Sequence, residues 1–141
     1  FDANEKATNA ARQLIAQGVD VILPVGGPIY EGAVTAIADT KKDVALIGVD
    51  ADLYVTDPDT QEIVFTSILK KMKESTYEAV LAAGNDEFDS SVYVGTLENG
   101  GVDIAPFHNF EDKISDTLVD ELEALREGIT SGEVPVESYL K

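Results

Sequence analysis

An aspartate stands directly after an unbroken apolar run, at a position where a side chain can take part in ligand binding. Asp50 follows residues 44–49, which are rich in Val and Ile and show no polar alternation. Such a run is typical of a strand buried on both faces, as in a parallel sheet covered by helices. The carboxyl ends of these strands line the crevice in which open α/β sheets bind ligands. Asp50 is therefore a candidate ligand-binding carboxylate; the alternative is that it only begins a turn.

The glycine pair Gly26-Gly27 is a second candidate, because it separates an apolar stretch from a helical pattern. Glycines at the N-terminus of a helix let backbone N–H groups approach a ligand closely. Gly27 and Gly32 have the spacing of a phosphate-binding loop, but Ala33 and Val34 stand where that loop requires Lys and Ser or Thr. The nucleoside-triphosphate loop is therefore excluded. A tight turn from strand to helix is the alternative explanation of the glycines.

The composition restricts the possible functions further. The chain of 141 residues has 10 basic and 27 acidic residues, hence a net charge of −17, and no cysteine. Nucleic acids and anionic membranes are poor partners, since phosphate contacts need clustered Lys and Arg. Disulfides, thiolate catalysis and Cys-ligated metals are excluded, and no apolar run approaches the roughly 18 residues of a membrane span. The single histidine, His108, has no Ser or Cys nucleophile beside it and is interpreted as structural.

The apolar periodicity predicts buried strands that alternate with amphipathic helices. Four helices are predicted: one behind the capping pair Asp2 and Glu5, one from Gly26 to about Asp39, one over 69–84 with Met72 in the core, and one over about 112–131. Strands are predicted at 19–25, 44–50, 63–67, 92–97 and 102–107. This alternation predicts a single three-layer α/β/α domain over residues 1–141 with a mainly parallel sheet. Strands 19–25, 44–50 and 63–67 should be adjacent, with 44–50 away from the edge. The dipeptide Asn99-Gly100 predicts a hairpin between the last two strands.

Six segments have a combined order that is more specific than any of them alone. They are Ala16–Ile22, Gly26-Gly27, Ile47–Asp52, Thr66–Lys70, Glu98–Phe107 and Ile129–Glu133. Together they resemble the basic membrane protein family, the lipoprotein substrate-binding components of ABC transporters that include the purine nucleoside receptors. The resemblance covers essentially the whole chain.

The resemblance implies the type I periplasmic-binding-protein fold, in which two α/β lobes close on a ligand between them. Residues 1–141 would be the C-terminal part of such a receptor, in keeping with the abrupt start at Phe1. It further implies a protein without catalysis or cofactor that delivers a nucleoside-like ligand to a membrane permease. The full protein would lie outside the cytoplasm, at the cell surface or in the periplasm, as a lipoprotein. The incomplete receptor should self-associate, because surfaces that face the other lobe are exposed.

The same resemblance assigns ligand-binding roles to particular residues. The aspartate that ends the Ile-Gly-Val-Asp strand contacts ribose hydroxyls in the family, which implies this role for Asp50, and Lys70 is expected to reach the sugar. The chemistry is reasonable, since a carboxylate accepts hydrogen bonds from vicinal hydroxyls and a neighbouring ammonium keeps it ionised. Gly26 and Gly27 would let the backbone line the cleft, and Tyr30 would supply an aromatic face for a base.

Two other functions are compatible with parts of the sequence. Leu46–Asp52 resembles the strand-Asp-x-Asp motif of haloacid-dehalogenase-type phosphatases, with Asp50 as nucleophile and Asp52 as acid/base beside Mg²⁺. However, Leu53 occupies the usual Thr or Val position, and no downstream acidic pair on a strand is evident that would complete a metal site. The effector domain of a lactose-repressor-type regulator shares the expected fold, but it needs an N-terminal DNA-binding segment, which is absent from these residues.

Overall fold

The computed structural model describes residues 2–137, which form two compact units. The first unit comprises residues 2–70 and 104–111, and the second comprises residues 71–103 and 112–137. All predicted site residues lie in the first unit. The expectation of one α/β domain over residues 1–141 stays a prediction.

Four strands form the sheet, in the order β1-β2-β3-β4. They are β1 (Val21–Ile22), β2 (Ala45–Asp50), β3 (Val64–Lys70) and β4 (Val102–Ile104). β1 pairs with β2 and β2 with β3, both in parallel. The predicted adjacency of these strands is therefore confirmed, and β2 has a neighbour on each side. β1 is shorter than the predicted 19–25, because Pro24 has no N–H to donate to a ladder, and Leu23 and Val25 are 43% and 63% exposed.

The ladder between β2 and β3 contains a one-residue irregularity. Leu46 lies opposite Val64, whereas Ile47 lies opposite Thr66, so Phe65 is an extra residue in β3. A bulge of this kind bends the strand and resets which residues face each other. All pairs closer to the carboxyl ends of the two strands follow the shifted register.

The described part of the first unit contains three α-helices. They are α1 (Glu5–Ala16), α2 (Tyr30–Thr40) and the short α3 (Leu53–Thr56), which is not among the predicted helices. Asn4, and not the predicted pair Asp2 and Glu5, caps α1, because its Oδ1 accepts hydrogen bonds from the N–H groups of Lys6 and Ala7 at 3.0 and 3.3 Å. The buried core of this unit comprises Ala11, Ile15, Ile22, Ala33, Ala36, Ile37, Val44, Leu46, Leu53 and Val64. The inner face of α2 contributes Ala33, Ala36 and Ile37 to this core.

Gly48 allows α3 and β3 to approach β2 closely. It lies opposite Ser67 in the shifted register, and a Cβ at this position would lie 2.7 Å from Leu53 Cβ and closer still to Ser67 Oγ. The Ser67 hydroxyl is completely buried and accepts a hydrogen bond from the Leu53 N–H at 3.0 Å. The start of α3 is therefore fixed directly against the two strands.

The second unit contains the helices α4 (Met72–Gly84) and α5 (Asp116–Ser131). Within the described residues α4 buries no side chain, and Met72 and Val80 are 56% and 66% exposed. The prediction of Met72 as core filler is therefore wrong for this structure. The helical spacing identified the apolar face of α4, but spacing contains no information on what covers that face.

The predicted hairpin is also wrong, although its turn is confirmed. Residues 92–97 are not a strand, and 102–107 is reduced to β4. Asn99 organises the turn through its side chain, since Oδ1 accepts hydrogen bonds from the N–H groups of Thr96 and Gly101 at 2.8 and 2.9 Å, and Nδ2 donates to the Val94 carbonyl at 2.9 Å. An Asx-type turn satisfies its own polar groups and does not need a strand on both sides.

We expect the 141-residue chain to self-associate through the exposed apolar groove of the second unit. This groove, of about 400 Å³, is lined by α4 side chains including Val80 and by Phe88 and Tyr93. Sedimentation at increasing concentration should show a dimer or larger species, and Val80→Asp should shift it toward the monomer. Val55→Asp is the matched control, since Val55 is similarly exposed at 67% but lies in the first unit. A wild-type chain that stays a monomer and melts cooperatively would contradict the expectation.

Gly48→Ala should destabilise the first unit by about 1–3 kcal/mol, the usual range for overpacking. The added methyl group meets Ser67 Oγ and Leu53 Cβ, and neither can retreat without breaking their hydrogen bond. Urea denaturation followed by circular dichroism measures the shift in midpoint. Gly84→Ala is the control, because a methyl group added there would have no neighbouring atom within 4 Å. Equal stability of the two variants would mean that the close approach is not constraining.

Candidate functional site

The predicted site residues lie at one edge of the sheet. Asp50 and Lys70 are the last residues of β2 and β3, and Gly26 and Gly27 follow β1 closely. Because the three strands are parallel neighbours, their carboxyl ends meet at the same edge. The structure therefore brings Asp50 and Lys70 together, with the glycine pair at the end of the next strand.

Asp50 and Lys70 form an ion pair across the two strand ends. Asp50 lies opposite Leu69 in the ladder, and Lys70 Nζ lies 2.7 Å from Asp50 Oδ1. Oδ1 is buried, and no donor among the described residues meets the angles of a hydrogen bond to it. The contact with Lys70 is therefore a close ion pair and not a hydrogen bond. The Asp50 side chain as a whole is nevertheless 41% exposed. The exposure falls on the rest of the side chain, which includes the second oxygen, Oδ2.

The backbone of Asp50 is left-handed, with a φ of 75°. Glycine favours this region, and Asp and Asn tolerate it better than other side chains. A non-glycine residue held in such a conformation costs on the order of 1–3 kcal/mol, whereas an exposed ion pair stabilises a protein by only about 0–1 kcal/mol. The pair with Lys70 does not offset the strain, so the surrounding structure must hold Asp50 in place. Strained residues of this kind cluster at ligand sites.

Gly26 and Gly27 form the turn from β1 into α2. Their φ values are 146° and 56°, and both lie in regions that glycine adopts more readily than other residues. Gly27 begins a short 3-10 helix, Gly27–Ile29, that leads directly into α2. This geometry is that of the tight strand-to-helix turn. A ligand-facing role for their N–H groups stays a prediction.

Tyr30, the first residue of α2, is engaged inside the first unit. Its ring packs against the hydrophobic core, and its hydroxyl donates a hydrogen bond to Asp57 Oδ2 at 3.1 Å. Burial, followed by the hydrogen bond and the negative charge of Asp57, raises the pKa of the Tyr30 phenol. The hydroxyl therefore ties α2 to the loop that precedes β3. The expected role of the ring toward a ligand base stays a prediction.

The sequence did not reveal a polar cluster that begins two residues after Asp50. Asp52 Oδ2 lies 2.9 Å from His108 Nε2, and the imidazole stacks on the Tyr54 ring with centroids 4.0 Å apart and planes inclined by 6°. Asp52 also caps α3, since its Oδ1 accepts a hydrogen bond from the Tyr54 N–H at 3.2 Å. A cap ahead of α3 was the only local signal in the sequence. No spacing rule connects residues 52 and 108.

The two carboxylates of the Asp-x-Asp sequence therefore have different basic partners. Asp50 contacts Lys70, and Asp52 contacts His108. Between residues 2 and 137, no group of three or more His, Asp or Glu side chains is arranged to hold a metal ion.

Alkaline pH should weaken the first unit partly through Tyr30. A raised folded-state pKa means that this contribution to stability is complete below the ordinary tyrosine pKa of about 10 and is lost as the pH rises through the higher folded-state value. Tyr30→Phe should therefore remove the most alkaline part of the tyrosinate absorbance titration. Tyr77→Phe, which removes a phenol that is 66% exposed, is the control. Indistinguishable titration curves for the two variants would contradict the partial burial and the hydrogen bond of the Tyr30 hydroxyl.

Comparisons with solved structures identify the fold. The chain superposes on an ABC transporter system solute-binding protein from Aeropyrum pernix K1 with a TM-score of 0.79 at 21% identity, over 96% of this chain and 45% of that chain. A solute-binding protein from Conexibacter woesei DSM 14684 gives a TM-score of 0.72 at 23% identity, over 97% of this chain and 43% of that chain. A transcriptional activator of the comK gene from Bacillus halodurans gives a TM-score of 0.78 at 18% identity, over 96% of this chain and 46% of that chain. The chain thus spans less than half the length of these proteins, and the predicted α/β class with a mainly parallel sheet is confirmed.

The family follows from the sequence comparison and not from these distant structures. No protein of curated function matches the chain. A family model described as "Bmp: ABC transporter substrate-binding protein PnrA-like" matches residues 1–139, which confirms the resemblance seen in the ordered segments. The chain belongs to the Bmp family of PnrA-like ABC transporter substrate-binding proteins.

Proposed function

We propose that this chain binds a nucleoside-like small molecule as part of the substrate-binding component of an ABC transporter. The family supports the substrate-binding role. The observation that supports a ligand with vicinal hydroxyls is the Asp50–Lys70 ion pair at the ends of two adjacent parallel strands. A strand end of this kind is the usual ligand position in α/β folds.

The chemistry of the pair suits a ribose. Lys70 holds Asp50 at Oδ1, which leaves Oδ2 to accept hydrogen bonds from two neighbouring hydroxyls. The Lys70 side chain is 60% exposed, and an ammonium has three N–H donors, so it can also donate to a sugar oxygen. Hydrogen bonds to ionised groups are about twice as strong as neutral ones. The pair thus provides an acceptor and a donor side by side.

The strained backbone of Asp50 is better explained by a role in ligand binding than by a role in the stability of the fold. The left-handed backbone of Asp50 destabilises the fold by more than its exposed ion pair with Lys70 stabilises it. Asp50 therefore has no evident benefit for the stability of the fold alone. Held ready before the ligand arrives, the carboxylate loses little conformational freedom on binding. The left-handed conformation is therefore consistent with a preorganised acceptor.

The wider organisation belongs to the same proposal. The chain aligns with less than half of the solute-binding proteins, and we place it as the C-terminal part of a two-lobe receptor. The receptor delivers its ligand to an ABC permease, outside the cytoplasm and anchored as a lipoprotein, without catalysis or cofactor. In the range 2–137 no helix is long and apolar enough to cross a membrane.

The family match favours this function over the two alternatives. A regulator's effector domain would share the fold, and one neighbour is a transcriptional activator, but the family matched is one of ABC substrate-binding proteins. A phosphatase would use Asp50 as the nucleophile and Asp52 as the acid/base, whereas here both oxygens of Asp52 are engaged, by His108 Nε2 and by the Tyr54 N–H. If Asp50 were a nucleophile, Mg²⁺ would support hydrolysis of a phosphate ester and Asp50→Asn would abolish it; we expect no turnover.

The binding test uses the full receptor and adenosine as the probe, measured by calorimetry. Asp50→Ala should weaken binding by about 2–4 kcal/mol, because the ribose hydroxyls lose a charged acceptor while still desolvated. Lys70→Met should cost about 1–2 kcal/mol, since the ammonium contributes one sugar contact and orients Asp50. The two losses should not add, because the groups share one network.

Two controls separate ligand contact from a role in the turn. Asp50→Asn keeps the tolerance for left-handed backbone and removes the charge, so it should fold normally and still bind adenosine weakly. A 2′,3′-dideoxyadenosine probe lacks both ribose hydroxyls and should bind poorly to the wild type, with little further loss in Asp50→Ala. Equal losses for both probes in Asp50→Ala would show that Asp50 is only a turn residue.

A further inference from the structure

We propose that Asp52 and His108 are positioning residues, which fix the chain just after β2 and thereby hold the Asp50 carboxylate in its left-handed conformation beside Lys70. The inference rests on the proposed function in treating Asp50 as the ligand-facing group. It concerns two residues that lie outside the Asp50–Lys70 ion pair.

The Asp52–His108 contact is well placed for such a role because it is largely shielded from water. The two side chains are 20% and 17% exposed, compared with 41% and 60% for Asp50 and Lys70. Both oxygens of Asp52 are used, one by His108 Nε2 and the other by the Tyr54 N–H. A shielded polar contact with both acceptors engaged is more rigid than an exposed ion pair.

A closed set of hydrogen bonds surrounds the contact. The Tyr54 hydroxyl donates to Asn109 Oδ1 at 3.3 Å, and Asn109 Nδ2 donates to the Gln61 carbonyl at 3.3 Å. Gln61 Nε2 in turn donates to the Tyr54 carbonyl at 2.9 Å. These bonds connect both ends of the loop after β2 to the residues next to His108. The loop therefore cannot shift without breaking several of them together.

The segment that carries His108 is itself anchored to β3. The Thr66 hydroxyl donates to the Ala105 carbonyl at 2.7 Å, and the Ala105 N–H donates to the Ser67 carbonyl at 2.8 Å. All three residues are at most 6% exposed, and Phe107 packs on Phe65 with ring centroids 5.0 Å apart. His108 thus extends from a buried anchor on the same strand that ends in Lys70.

The chain on both sides of Asp50 is consequently fixed. Before it, β2 is paired with β3 as far as Asp50 itself; after it, Asp52 is held by His108 and Leu53 by the Ser67 hydroxyl. A strained conformation persists only where its surroundings over-determine it. His108 also has a left-handed backbone, with a φ of 47°, so a strained residue stands at each end of the connection from Asp50 through Asp52 to His108. Releasing this contact should let Asp50 relax while the sheet remains.

The test is made without ligand, by nuclear magnetic resonance of the 141-residue chain. The HN–Hα coupling and the Cα and Cβ shifts of Asp50 report its backbone angle. In His108→Phe, which keeps a ring to stack on Tyr54 but loses the nitrogen, these parameters should move toward averaged values. Asp52→Ala should do the same, whereas Asp52→Asn should retain the wild-type values, because its Oδ1 still accepts from the Tyr54 N–H and its Nδ2 can donate to an unprotonated His108 Nε2. The amide signals of β2 before Asp50 should remain in place in every variant.

Asp39→Asn is the matched control, since it removes the ion pair between Arg12 and Asp39 in the same unit. It should leave the Asp50 parameters unchanged. Unchanged Asp50 parameters in both His108→Phe and Asp52→Ala would overturn the proposal. Global unfolding of these two variants would also overturn it, because the contact would then stabilise the unit instead of positioning one residue.

A second measurement connects the contact to binding. In the full receptor, His108→Phe should bind the adenosine probe about tenfold more weakly than the wild type, with recovery in Asp52→Asn relative to Asp52→Ala. Failure of wild-type receptor to bind adenosine would contradict the proposed function and leave the backbone test intact. A relaxed Asp50 with undiminished adenosine affinity would instead overturn the positioning role.

Discussion

The parallel pairing of β2 with β3 in its shifted register is the constraint on which the site depends. Without the extra residue Phe65, the register set by Leu46 and Val64 would place Asp50 opposite Ile68, one position further from Lys70. Because side chains alternate along a strand, such a slip also exchanges the two faces. The bulge therefore determines both that the ammonium reaches the carboxylate and that the Ser67 hydroxyl meets the first residue of α3.

Much of this arrangement follows from the sequence because it depends on local pattern. The apolar run before Asp50 specifies a buried strand, and parallel strands separated by helices bring their carboxyl ends to one edge. The placement of Asp50 at that edge needs no further information. Its partner Lys70 came from the family resemblance alone, since no spacing rule predicts that the residue after Leu69 lies beside Asp50 when a bulge resets the ladder.

The features that escaped prediction depend on contacts between distant parts of the chain. The Asp52–His108 contact joins residues from two segments, and His108 alone contains no signal for its partner. The left-handed backbone of Asp50 also could not be predicted from the sequence, because Asp occurs in many backbone conformations. In the second unit, helical spacing indicated the apolar face of α4, yet burial also requires a covering surface, which a periodic pattern does not specify.

Gly48 and Asp50 of the Ile-Gly-Val-Asp segment are explained by different physical constraints. Gly48 is required by the close approach of Ser67 and Leu53, which is a matter of packing between β2, β3 and α3. Asp50 is held by an unfavourable backbone angle and an ammonium on the next strand, which packing does not require. A sequence search keyed on the glycine would consequently collect proteins of the same architecture, whereas one keyed on Asp50 together with Lys70 would collect those that share the site.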